Sequence, residues 1–194
     1  VLNSYIQILN DSQSLEIQFA KIEPDIVRKI EVITRLMLNV LSLQAHSRFS
    51  QTLQAAVEGL QGESSTTNAP ASGLLERYTY SYENYYQPFM AQRQHVFENY
   101  LVNQVISRLF PFTRGSYLDL YREMVFNVSI LQILLLGVSA RHKGLNDDLL
   151  IDVFQGYSRK SDHYRTHLDN LSKILCNSDQ DSFFHVMWML KETA

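Results

Sequence analysis

An all-α fold, a single-domain multi-helix bundle over residues 1–194 with one long flexible loop, is predicted on three observations. Hydrophobic residues make up 45% of the chain, and only seven glycines and four prolines interrupt it, a balance that favours long regular elements over a turn-rich sheet sandwich. Apolar residues recur every three or four positions through several long stretches, the period of a helix with a buried face. No stretch alternates apolar and polar residues as a half-buried strand would, and no internal repeat is present.

The elements follow in order. Residues 1–20 show weak helical periodicity, broken near Asn10 to Ser14. Pro24 suits a first helical turn, where its missing N–H does no harm. Ile26, Ile30, Ile33, Met37, Val40 and Leu41 then keep helical spacing, which continues with breaks through Leu53, Val57 and Leu60, as two helices or one kinked helix. Residues 61–73, QGESSTTNAPASG, are small and polar with two glycines and a proline, so they predict a mobile loop inside one domain. The aromatic-rich LLERYTYSYENYYQPFM leads to a helix from about His95 to Phe110, stopped by Pro111. Ser116 with Asp119 resembles a capping box opening a long helix that ends near Gly144. Asn146, Asp147 and Asp148 begin another, since acids in a first turn complement the helix dipole. Its stripe is Leu150, Val153, Phe154, Tyr157, Tyr164, Leu168, Leu171 and Leu175. A short helix from Phe183 to Leu190 closes the chain.

A net charge of −3 argues against a nucleic-acid module, which carries a basic face, and leaves room for a local acidic surface that receives a basic protein. One cysteine, Cys176, forms neither an internal disulfide nor a multi-cysteine metal site, so a cytoplasmic setting is expected. The first residue is Val1 and no signal-type segment opens the chain, which suggests a fragment of something longer. The most apolar run, Val125 to Ala140, is shorter than the ~20 residues that cross a bilayer. It also contains Asn127, Ser129 and Gln132, so a central bundle helix, without membrane insertion, is expected.

Four constellations carry polar chemistry. In HVFENYLVNQVISRLFPF, Glu98, Asn99 and Asn103 stand among apolar residues that surround the helix. The pattern predicts burial, and a buried carboxylate or amide needs partners. Those partners either fix helix register or line a polar pocket for a substrate amine or cofactor. Tyr78, Tyr80, Tyr82, Tyr85, Tyr86 and Phe89 are a packed aromatic face or a cage for ammonium, methylammonium or sulfonium cations. Arg159, His163 and His167 follow at four-residue spacing, and Arg159 with His163 are placed to meet Glu98 across the bundle, although Asp162 is a nearer partner. Two histidines fall short of the three protein ligands of catalytic zinc sites, and no HExxH motif is present, so no metal is assigned. SARHKG, Ser139 to Gly144, is explained by basic residues at a helix C-terminus.

The chain lacks GxGxxG, GxxxxGK[ST] and GxSxG, so a doubly wound cofactor site is not encoded. A resemblance supplies what these patterns do not. FENYLVNQVISRLFPF resembles the ENYLVN…FPF signature of the flagellin lysine N-methylase family. LLLGVSARHKGLNDDLLIDVFQGYSRKSDH is similar to that family's continuation, with His142, Lys143, Ser158, Arg159 and His163 at the corresponding places. The resemblance covers roughly residues 90 to 170. It implies the carboxy-terminal helical half of an enzyme that methylates lysine side chains of flagellin with S-adenosylmethionine, inactive as a fragment. It also implies an iron-sulfur cluster in a cysteine-rich amino-terminal region outside this chain. Glu98 and His163 become candidate catalytic proton acceptors, because a lysine must lose a proton before attacking a sulfonium methyl. Asn99, Asn103, Arg159, Tyr82, Tyr85 and Tyr86 become candidate substrate or cofactor contacts. Two other classes compete: a ligand-sensing and dimerisation domain of a helical regulator, and a non-catalytic interaction scaffold. Oligomeric state is left open.

Overall fold

The computed structural model describes residues 16–17, 19–31, 33–34, 48–61, 71–107, 117–161 and 183–192. They form an all-α bundle with no strand among the described residues. An amino-terminal helical segment covers residues 26–31 and 33–34. After it come α1 Arg48–Gln61, α2 Ala71–Ser81, a π-turn Tyr82–Tyr86, α3 Gln87–Met90, α4 His95–Ser107, α5 Tyr117–His142, α6 Asp147–Ser161 and a 3-10 turn Phe183–Leu190.

Local chemistry sets most element ends. Pro24 lies two residues before the helical segment that opens at residue 26, because Asp25 takes the capping position: its Oδ1 accepts the Arg28 N–H at 3.1 Å. Of the loop expected at 61–73, Gln61 instead closes α1 and Ala71 to Gly73 open α2, and residues 62–70 lie outside the described residues. Arg77 secures that junction by donating to the carbonyl oxygens of Gly73 and Gln61. Helix α5 stops as expected. Lys143 adopts φ +54° and Gly144 φ +154°, and the Gly144 N–H returns to Ser139 O at 2.9 Å, closing a Schellman-type end. Asn146 then caps α6, its Oδ1 accepting the Leu149 N–H at 2.8 Å, with Asp147 and Asp148 in the first turn.

Helix α5 is the central rod, touching α1, α2, α4, α6, the π-turn and the 3-10 turn. Its stretch Leu120–His142 is long and apolar enough to cross a membrane, although the Val125 to Ala140 run alone is not; 78% of its most apolar window is buried inside the fold. Asn127, Ser129 and Gln132 of that run are each answered. Asn127 Oδ1 accepts the Tyr157 hydroxyl at 2.6 Å. The Ser129 hydroxyl lies within donor distance of Val125 O and Met189 O, at 2.8 and 2.9 Å. Gln132 is bonded through both ends of its amide. A Tyr157→Phe substitution strands Asn127 Oδ1 in the interior and is expected to cost about 1–2 kcal/mol in urea unfolding. Tyr157→Phe and Asn127→Ala should be less than additive, since they remove one shared bond.

Helices α1 and α5 cross closely. A methyl group on Gly59 would overlap the Gly137 carbonyl oxygen, and one on Gly137 would overlap the Ala56 carbonyl. The two rods meet backbone to backbone, with small residues at the contact. Around this crossing lie Phe49, Leu53, Val57 and Leu60 of α1 and Ile133, Leu134, Leu136 and Val138 of α5, all buried.

Helix α4 departs from expectation. Phe97 and Tyr100 pack edge-on against Phe154 of α6 at 5.4 and 5.7 Å, and Gln104 is buried. The opposite side is open: Glu98, Asn99, Val102, Asn103 and Ile106 are all exposed, Ile106 by 66%. Apolar residues all round this helix therefore do not mean burial all round; α4 lies at the rim of the bundle, and among the described residues one side meets other helices while the other is exposed.

Candidate functional site

Among the described residues, a dense buried polar arrangement lies between the amino-terminal helical segment, the tyrosine-rich rod, α5 and the carboxy-terminal turn. Lys29 shares the inward stripe of Ile26, Ile30 and Ile33, at positions i+3, i+4 and i+7 of that segment, and is fully buried. Its ammonium donates to Gln132 Oε1 and to Lys191 O, each at 3.0 Å. The other end of the Gln132 amide donates from Nε2 to Glu192 Oε1 at 2.7 Å. Tyr86 donates to the same oxygen at 3.2 Å, Tyr82 to Glu192 Oε2 at 3.0 Å, and Tyr78 to the Glu192 main-chain carbonyl at 2.8 Å.

A backbone irregularity aligns the three phenols. In an α-helix, four residues overshoot a full turn by roughly 40°, so positions i, i+4 and i+8 drift around the rod. Tyr82–Tyr86 form a π-turn, in which the Gln87 N–H reaches back five residues to Tyr82 O. Pro88, which has no N–H to continue the α pattern, follows directly. The wider turn rotates less per residue and brings Tyr86 back under Tyr82 and Tyr78. The rings stack accordingly, Tyr78 on Tyr82 at 6.4 Å and Tyr82 on Tyr86 at 5.6 Å.

The electrostatics follow from this enclosure. Burial pushes the Lys29 ammonium down to about 8, with the Glu192 carboxylate opposing the shift. Burial first, and the Glu192 charge second, raise the tyrosines; Tyr82 reaches about 12, and Tyr78 and Tyr86 also shift upward. All three phenols therefore remain neutral donors to the carboxylate through the physiological range.

Of the candidate contacts named from the sequence, Tyr82 and Tyr86 join this cluster, together with Tyr78 of the same aromatic group. Tyr85 points away, edge-on to the exposed Tyr80 at 5.7 Å. Glu98, Asn99 and Asn103 are on the outer side of α4, and Arg159 is exposed on α6. The expected buried seam between Glu98 and Arg159 is therefore absent, because the first faces solvent from the rim helix. His163 and His167 lie outside the described residues. The tyrosine rings stack on one another and commit their hydroxyls to Glu192, so they do not form an open cage. Cation contacts with rings occur elsewhere, as with Arg28 over Trp188 at 5.2 Å and Lys191 over Phe19 at 4.2 Å. Sequence reasoning missed Lys29 and Glu192, and it saw Gln132 only as a polar interruption.

Comparison with protein families gives a match over residues 1–189 to the family described as FliB lysine N-methylase C-terminal domain. The chain belongs to this family. The resemblance first carried by residues 90 to 170 thus extends over residues 1–189 of this chain, including Lys29, Tyr78, Tyr82, Tyr86 and Gln132 but not Glu192. No curated protein and no solved structure matches the chain.

Proposed function

We propose that this FliB C-terminal domain is the carboxy-terminal part of a cytoplasmic methyltransferase that transfers methyl groups from S-adenosylmethionine to lysine side chains of flagellin. The observation that carries the reading is the family match over residues 1–189, whose description names a lysine N-methylase. S-adenosylmethionine would supply an electrophilic methyl group. A lysine amine reacts with it only when neutral, so the enzyme must remove or withhold a proton. The interior of this domain provides such surroundings, as the lowered pKa of Lys29 illustrates.

The donor set for an iron-sulfur cluster is a different matter. Clusters take four thiolates or comparable ligands, and the chain has the single cysteine Cys176. The residues of this chain do not fit that group. Flagellin is assigned instead to the exposed strip of α4, where Glu98, Asn99 and Asn103 flank Val102 and Ile106. Neighbouring exposed apolar side chains with amide and carboxylate groups beside them suit contact with another protein.

The test uses the enzyme that contains this domain, incubated with methyl-labelled S-adenosylmethionine and flagellin, with lysine modification read by mass spectrometry. Label on flagellin lysines is expected. Ile106→Asp should raise KM for flagellin about tenfold, the weight of a single apolar contact at an interface, with kcat preserved. Absence of label from every protein lysine would overturn the methylase reading, and an unchanged KM would remove the α4 strip from the substrate surface.

A further inference from the structure

We propose that Tyr82, Tyr86, Gln132 and Lys29 form a receptor for a small-molecule carboxylate, of the kind an amino acid carries, and that the chain's own Glu192 fills it as a displaceable plug. Donors converge on both oxygens of one carboxylate: Gln132 Nε2 and Tyr86 on Oε1, and Tyr82 on Oε2. They come from α5 and the π-turn, two elements that share the hydrophobic core with Met189 of the 3-10 turn before Glu192. Lys29, on a third element, orients the receptor by holding the oxygen end of the Gln132 amide, which turns the NH₂ end toward the carboxylate. Phenol and amide donors with a cation behind them are the groups that recognise a carboxylate and hold it in one orientation.

The occupant is held differently from the pocket. Glu192 and Tyr82 are only half-buried, so the receptor opens to solvent. Glu192 follows a 3-10 turn of eight residues, a backbone form whose hydrogen bonds are poorer than those of an α-helix and which rarely runs beyond three or four residues. The residues of the pocket all fall within the family match over 1–189, and its occupant lies beyond it. A ligand carboxylate that displaces Glu192 would inherit its donors at the same distances.

Chemical rescue tests this. Glu192→Ala vacates the pocket, and its melting temperature is compared in sodium propionate and in sodium chloride at matched ionic strength. Propionate should raise it by about 2–4 °C relative to chloride, the response of a chain this size when free ligand stands several-fold above its dissociation constant. Adding Tyr86→Phe in the same background should remove most of that gain. If Glu192→Ala is unfolded in chloride, helicity regained in propionate is the same result in stronger form. Equal behaviour in the two salts, folded or unfolded, would overturn the receptor.

A second arm asks which carboxylate is taken, and it alone rests on the proposed methylase reading. Calorimetry on Glu192→Ala compares S-adenosylmethionine with 5′-methylthioadenosine, which lacks the amino-acid end. Binding of the first and not the second identifies the methyl donor as the ligand. Propionate rescue without S-adenosylmethionine binding keeps the receptor and removes the donor from it.

Discussion

Gly137→Ala should destabilise the protein by on the order of 3 kcal/mol, at the upper end of overpacking penalties. That corresponds to a melting temperature lowered by about 6–12 °C in a chain of this length. The added methyl group falls on the Ala56 main chain, standing 2.8 Å from its carbonyl carbon and overlapping its oxygen. No rotamer relieves the overlap, because both partners are backbone within helices; α1 and α5 must separate. Separation would loosen Leu53, Leu60, Leu134 and Val138, which are packed to near-zero exposure beside the crossing, so dispersion contacts are lost along both rods. Gly73→Ala provides a contrast of opposite sign. Among the described residues its methyl would meet only the Arg77 guanidinium, at 3.4 Å, the end of a flexible side chain. There the substitution should stabilise α2 by up to about 1 kcal/mol through backbone entropy. Equal effects at the two glycines in thermal unfolding would show that the crossing is not a close contact.

What was legible in the sequence was local. Asn146 with two acids, and Gly144 beyond a periodic run, specify a helix start and a helix stop through bonds spanning three to five residues, and the structure contains both. The stripe Ile26, Ile30, Ile33 and the apolar run of α5 were readable for the same reason. Which side of α4 would be covered was not, because its apolar residues surround the rod and the choice falls to its neighbours. Phe154 of α6 takes the Phe97 and Tyr100 side, leaving Glu98, Asn99 and Asn103 outward.

The polar cluster was still less accessible. Lys29 bonds to a carbonyl 162 positions away, and Tyr78, Tyr82 and Tyr86 bond to a residue 106–114 positions away. One signal was available: a lysine at the i+3 place of an isoleucine stripe is either a stem lying along the core or a buried cation with partners. The alignment of the tyrosines depended on the π-turn ahead of Pro88, which helical spacing alone does not anticipate. Their number indicated an aromatic face, but what their hydroxyls would meet lay at the far end of the chain.

Lys29 should make the stability of this domain rise between pH 8 and pH 10. Its folded-state pKa is lowered, from 10.5 to about 8, chiefly by burial. Across the window between those values the unfolded chain retains the proton and the folded chain has released it, so unfolding becomes less favourable as pH rises. The gain expected by pH 10 is on the order of 2 kcal/mol. The other groups facing Lys29 act in the opposite sense and later. Tyr78, Tyr82 and Tyr86 have raised pKa values, Tyr82 to about 12. Above pH 10 the unfolded phenols ionise first, and stability falls again, leaving a maximum near pH 10. Lys29→Met should flatten the rise while keeping the fall. Glu192→Gln removes the charge that holds the ammonium up, so the rise should begin below pH 8. Urea midpoints measured from pH 7 to 11 decide the matter, and parallel profiles for the wild type and Lys29→Met would place that ammonium in water rather than in the core.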